Sequence, residues 1–250
     1  MNYNEIKKIE KLYDDTAKNI DQVKKAYTNE VYENILTKIK LTEKDRILDV
    51  GCGSGILGSK IKEKSVLYVG LDISFESLKQ FFKINEFENK PNLVQSITNA
   101  IPFKDDLFNI SILNGVTEHF SSMELLKNTL EEMERVTSKD GRIFLGNNVV
   151  PSGIYWEFTW FQNKHPFLQV WYKLYIDCRL WLSKKNNRFA GKWKNMYSPI
   201  SPNFVKKFFG GRGEAIISKS ASYEINKKKS GKNYKGNRRM DFTIKLNSKN

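Results

Sequence analysis

Between residues 48 and 58 the chain reads LDVGCGSGILG, which places Asp49 and then Gly51, Gly53 and Gly55 at alternate positions directly behind the apolar run RILDV. Glycines spaced in this way let a backbone pass very close to something, because no Cβ atoms stand in its path. A Walker A loop needs Gly-Lys-Ser/Thr behind its glycines, and here Ile56 and Leu57 follow Gly55, so that reading fails. The dinucleotide fingerprint G-x-G-x-x-G finds a formal match at Gly53-Ser-Gly55-Ile-Leu-Gly58, but Asp49 has no part in it. Taken whole, the string is Asp49-x-Gly51-x-Gly53-x-Gly55. Other chemistry-bearing residues are sparse: Asp72 closes the run YVGLD, Asn114 closes another, Glu118 and His119 stand side by side, and His165 is the second of two histidines. There is no metal-ligand spacing, no Ser-His-Asp order and no paired-carboxylate motif.

The elements that must position these residues follow from periodicity. Short apolar runs predict strands at 46–50, 66–72, 92–96, 107–115 and 141–150. Helical spacing predicts helices over GILGSKIKEK, over SFESLKQFFKINEF with Ser74 as N-cap, and over MELLKNTLEEMERV, where Ser121 and Glu124 form a capping box. In the first forty residues Ile6, Ile9, Tyr13, Ala17 and Ile20 share one helical face, and Val23, Tyr27, Val31, Ile35 and Ile39 continue it. Strand and helix alternate, which argues for an α/β fold whose parallel sheet carries helices on both faces. Ligands in such sheets sit beyond the carboxyl ends of the strands, where the glycine turn falls. After Val150 the rhythm breaks, resuming at SPNFVKKFF with Ser201 as N-cap and Pro202 at the first helical position. EAIISKSASYEI and RMDFTIKL then read as an antiparallel strand pair.

With 250 residues the expectation is one domain, divided into N-terminal helices at 1–40, a binding core at 41–150, an aromatic-rich insertion or lid at 151–200 and a C-terminal helix and strand pair at 201–250. No apolar run is long enough to span a bilayer, and MNYNEIKKIEKLYDD has no signal-type apolar region. Two cysteines, Cys52 and Cys178, suit a reducing cytoplasm. The net charge of +14 suits an anionic partner, yet much of the excess lies in NKKKSGKNYKGNRR at 226–239, which also reads as a solvated loop.

The string from Asp49 to Gly55 resembles motif I of the class I S-adenosylmethionine (SAM)-dependent methyltransferases, of the small-molecule and ubiquinone–menaquinone-biosynthesis-like type, and the resemblance extends through residues 40 to 150. AIPFKDDLFNISILNGVTEHF is similar to that family's LPF…FD…EHF region, and LEEMERVTSKDGRIFLG resembles its L.E..RVLKPGG.L. The resemblance implies a Rossmann-like, mostly parallel seven-stranded sheet with SAM as cofactor. It implies that Asp49, Gly51, Cys52, Gly53 and Gly55 line the methionyl and ribose part, that the Asp72 carboxylate accepts from both ribose hydroxyls, and that Ile73 flanks the adenine. Where the family places an acid toward the adenine amino group, this chain has Ser96 and Ile97, and Asn114 stands where a cofactor or substrate contact is expected.

The insertion includes FQNKHPFLQVWYKLYIDCRLWLSKK, whose polar Gln169, Lys173 and Asp177 fall four apart and leave a broad apolar face. Three readings stand: a helix packed into the core, a lid over the methyl donor, or an interfacial helix resting on a membrane. The resemblance implies methyl transfer to a small-molecule, lipid-linked or glycan acceptor. For a hydroxyl acceptor Glu118, His119 and His165 are the candidate bases. Two rivals remain, an RNA methyltransferase that uses the basic run on phosphates and a non-catalytic binding subunit with a degenerate cofactor site, the latter suggested by Ile97. No metal is expected.

Overall fold

A computed structural model of the chain describes residues 3–17, 29–62, 64–84, 91–120, 122–149, 200–221, 224–225 and 239–248. The aromatic insertion with His165, Cys178 and nearly all of the basic run lie outside the described residues.

In chain order the elements are α1 (Tyr3–Ala17), α2 (Asn29–Ile39), β1 (Arg46–Val50), α3 (Ile56–Lys62), β2 (Leu67–Asp72), α4 (Phe75–Ile84), β3 (Asn92–Gln95), β4 (Phe108–Asn114), α5 (Met123–Val136), β5 (Thr137–Val149), α6 (Pro202–Phe208), β6 (Gly213–Lys219) and β7 (Arg239–Leu246), with a 3-10 turn at Thr117–His119. The strands form one sheet in the order β3-β2-β1-β4-β5-β7-β6. β1 to β5 pair in parallel, and β7 enters antiparallel between β5 and β6. This is the expected mostly parallel, seven-stranded α/β sheet with an antiparallel C-terminal pair.

Alternation along β1 divides the core. Leu48 and Val50 join Leu126, Leu130 and Met133 of α5 and Val205 of α6 on one face. Ile47 joins Ile35 and Ile39 of α2, Leu57 and Ile61 of α3 and Phe81 of α4 on the other. One step along a strand reverses the face, so consecutive apolar residues there require cover on both sides.

Three local expectations are corrected. The cap of α5 is Ser122, whose Oγ accepts from Leu125 N at 3.1 Å, so the third helical residue is Leu125 and no Ser121–Glu124 capping box forms. The strand expected over 214–225 stops at Lys219, because Asp241 takes the Ala221 N–H at 3.1 Å and Glu224 N bonds back to Ser220 O at 3.0 Å. The fifth strand pairs from Thr137 rather than 141, with the residues after it bulged out between the Phe108–Thr137 and Ile110–Arg142 pairs and Asp140 at φ +63°. Ser201 and Pro202 begin α6 as expected, Ser201 Oγ accepting from Phe204 N at 3.0 Å.

Candidate functional site

Strand order reverses between β1 and β4, and the turns leaving their carboxyl ends meet there. Gly51 N and Cys52 N both donate to Leu71 O of β2, at 2.7 and 3.0 Å, and Gly55 N closes the turn on Cys52 O at 3.0 Å. Gly51, Gly53 and Gly55 all have positive φ, at +72°, +54° and +76°. Their surroundings differ in a telling way. A Cβ on Gly51 would meet Val116 at 2.5 Å, and one on Gly55 would meet the Phe81 ring at 2.2 Å, so the protein's own packing requires both glycines. Nothing lies within 4 Å of a Cβ on Gly53. The middle glycine therefore opens onto free space, which a ligand laid against the backbone would fill.

Asp72 fixes that position from the end of β2. Its Oδ2 accepts from Gly53 N and its Oδ1 from Ser74 N, both at 2.8 Å. Desolvation pushes the carboxyl above its ordinary value, against the lowering effect of the Ser74, Gly53 and Ile73 N–H groups, and the Asp14 charge adds to the rise. With three backbone N–H groups turned toward it, the carboxylate still has acceptor capacity left on its two oxygens, which a pair of neighbouring hydroxyls would satisfy.

Asp49 plays a different part. It is buried and accepts from the Tyr68 hydroxyl at 2.8 Å. Burial raises its carboxyl to about 7, opposed by the Tyr68 bond and reinforced by Asp72. The same burial, with the charges of Asp72 and Asp49, raises the Cys52 thiol. Gly58 makes this buried bond possible, since a Cβ there would stand 2.2 Å from the Tyr68 hydroxyl. The glycine that completes the formal dinucleotide pattern thus serves contact between helix and strand.

Around this turn the structure gathers the other sequence candidates. Ile73 follows Asp72, and its carbonyl accepts from Gln95 Nε2 at 3.0 Å. Ser96 N donates to Asp72 O at 3.0 Å and its hydroxyl turns to Ala100 O at 3.1 Å, with Ile97 beginning the turn between them. At the end of β4 the Asn114 Oδ1 is buried and finds no partner among the described residues, as does Asn99 Oδ1 after β3. Gly146 of β5 makes room for the Asn114 side chain. Glu118 lies in the Thr117–His119 turn. His119 is exposed, its ring edge-on to Tyr13 with centroids 5.5 Å apart. Local desolvation, then the Arg239 charge, hold its imidazole below the ordinary histidine value.

Sequence reasoning missed what α1 does. Asp14 Oδ1 accepts from Ser74 Oγ at 2.6 Å and Glu76 N at 3.1 Å, capping α4 beside Ser74, and Glu10 accepts from Gln95 at 3.0 Å. With Tyr13 against His119, α1 touches the ends of β2 and β3 and the turn after β4. Its apolar stripe predicted burial without naming a partner. A cleft of about 510 Å³ at the amino ends of β4 and β5 is lined by Asp105, Glu134, Arg135 and Arg212, among which Arg135 pairs with Asp105 at 2.7 Å and Arg212 with Glu134 at 2.6 Å. Among the described residues no group of His, Cys, Asp and Glu is placed to hold a metal, and no helix is long and apolar enough to cross a membrane.

Comparison with known proteins bears on the same stretch. Residues 48–145 match the family described as a methyltransferase domain. Over 143 residues the chain is 31% identical to malonyl-[acyl-carrier protein] O-methyltransferase of Legionella pneumophila, a match that covers 55% of this chain and 48% of the relative. The chain spans about half the length of the curated relatives it matches first. Among solved structures, a chain from the complex between the Haloferax volcanii Trm112 methyltransferase activator and a methyltransferase superposes with a TM-score of 0.63 at 12% identity, covering 94% of this chain and 98% of that one. A SAM-dependent methyltransferase of Methanosarcina mazei does so with a TM-score of 0.56 at 16% identity, covering 86% and 98%.

Proposed function

We propose that this chain, whose residues 48–145 match the methyltransferase-domain family, is a class I SAM-dependent methyltransferase that transfers a methyl group from SAM to a small-molecule, lipid-linked or glycan acceptor. The observation that carries the cofactor side is the pairing of Asp72 with the Gly53 N–H beneath an open face. SAM, when bound, supplies the electrophilic methyl on its sulfonium. The chain's residues bind and align. Gly53 would let the backbone approach, Asp72 would take the ribose hydroxyls on its remaining lone pairs, Ile73 would flank the adenine, Ser96 and Ile97 would lie toward the adenine amino group, and Asn114 would stand at the end of β4 beside the cofactor.

Displacement at a sulfonium is in-line, so holding the acceptor and excluding water supply most of what the protein adds. An acceptor that carries its own negative charge needs no base. The Legionella relative, named for O-methylation of malonyl-[acyl-carrier protein], supports an oxygen acceptor. For a neutral hydroxyl, His119 is the candidate base among the described residues, its imidazole lowered from the ordinary value by desolvation and then by the Arg239 charge. The activator in the Haloferax complex supports an activating partner for this chain as well.

The test is calorimetric titration with SAM and S-adenosylhomocysteine, with NAD and Asp72→Ala as controls. Micromolar binding that Asp72→Ala weakens at least tenfold is expected. Failure of both nucleosides to bind would remove the enzymatic reading.

A further inference from the structure

The carboxyl end of β5 carries a bulge that the cofactor reading does not use. Between Leu145, paired with Phe242, and Asn148, paired with Met240, β5 holds one residue more than β7. Asn147 stands at φ +57°, its N–H donating to Asp241 Oδ1 at 2.7 Å and its carbonyl accepting from Arg239 at 2.9 Å. Asp241 is itself buried and held by Lys38 of α2 at 2.9 Å. Bulges of this kind re-aim a side chain at the rim of a sheet. The side chain re-aimed here is Asn148.

Asn148 is fully buried. Its Nδ2 donates to Leu145 O at 2.6 Å and to Met240 O at 3.1 Å, the carbonyls flanking the bulge. Those partners accept only, so the amide orientation is forced and Oδ1 faces Thr117, whose hydroxyl donates to it at 2.8 Å. Thr117 is buried as well. The residue before it, Val116, is the one whose methyl groups occupy the Cβ position of Gly51 in the glycine turn, and two residues after it stands His119. A continuous set of contacts therefore runs from the β5 bulge through Asn148 and Thr117 to the backbone of the cofactor turn.

We infer that Thr117 and Asn148 are a positioning pair, which sets the Val116–His119 turn against Gly51 and so fixes one wall of the cofactor site. The inference rests on the SAM reading for its ligand but not for its geometry. Neither residue touches the cofactor space; both act through Val116 and His119. A hydroxyl is the essential feature at 117, because only a donor answers Asn148 Oδ1.

S-adenosylhomocysteine binding by calorimetry, with the His119 imidazole proton resonance as a second readout, tests the pair. The chain has two histidines, so comparison with His165→Gln assigns the signal. Thr117→Val is expected to lose about tenfold in affinity, about 1.4 kcal/mol, and to displace the His119 resonance with or without ligand, while Thr117→Ser restores both to wild type. Should Thr117→Val fail to fold, Val116→Ala trims the contact with Gly51 while keeping the buried hydrogen bond, and the same loss of affinity is expected. A folded Thr117→Val protein with affinity within twofold of wild type and an unmoved His119 resonance overturns the inference, as does Val116→Ala at wild-type affinity. If wild type itself binds no S-adenosylhomocysteine, the SAM reading is what fails, and the ligand-free His119 resonance of Thr117→Val still decides the positioning role.

Discussion

Asp49→Asn is expected to make the protein more stable at pH 8 and far less so, by about 1 kcal/mol, at pH 4.5. The wild-type carboxyl is 3% exposed and is pushed from an ordinary 3.8 to about 7, chiefly by burial. Between those values the folded chain keeps a proton that the unfolded chain has released, so stability falls as pH rises from about 4 to about 7 and levels off above. Three units at 1.36 kcal/mol each give about 4 kcal/mol. An asparagine keeps the shape and an acceptor for Tyr68 but never ionises, so this cost vanishes from the variant. Asp72 and Asp241, whose carboxyls are also raised, titrate in both proteins and largely cancel in the difference. Urea unfolding of both proteins at pH 4.5 and pH 8 measures it directly. The variant's advantage at pH 8 should exceed that at pH 4.5 by about 3–4 kcal/mol. An equal difference at the two pH values would refute the argument that Asp49 is protonated when folded.

The two glycine environments predict opposite mixtures of effect. Gly53→Ala has free space for its methyl and pays only the left-handed backbone, about 1–2 kcal/mol, yet should lose S-adenosylhomocysteine affinity more than tenfold. Gly55→Ala drives a methyl into Phe81 and should lose about 3 kcal/mol or more of stability, read from urea melts. Arg135 forks onto the Ile101 and Phe103 carbonyls as well as Asp105 and Glu132, so Arg135→Lys, which cannot reproduce the fork, should cost about 2 kcal/mol and speed amide exchange across 101–105. Unchanged exchange there would show that the loop holds itself.

Local chemistry made much of this fold legible before any coordinates. Strands β1 and β7 and helix α5 run where the apolar patterns put them, because alternation and 3.6-residue spacing are set by near neighbours. Pro202 and Ser201 begin α6 for the same reason: a cap acts within three residues. Gly51, Gly53 and Gly55 form the turn that follows β1, where the spacing put it, with Asp72 about one βα unit away.

What the tertiary structure decided lies in contacts between residues far apart in sequence. Nothing near residue 53 tells which glycine faces open space, since that depends on Val116 and Phe81 arriving beside its neighbours. Asp14 caps a helix sixty residues later, Asp45 holds Arg142 across 97 positions, and Asp241 sustains a bulge 94 positions earlier. The cap of α5 falls on Ser122, one residue after the serine that composition marked, and its hydroxyl oxygen answers Leu125 N. Periodicity records which side of an element is buried; only the packed sheet determines which residue lies against it, and the open face of Gly53 exists because of that packing.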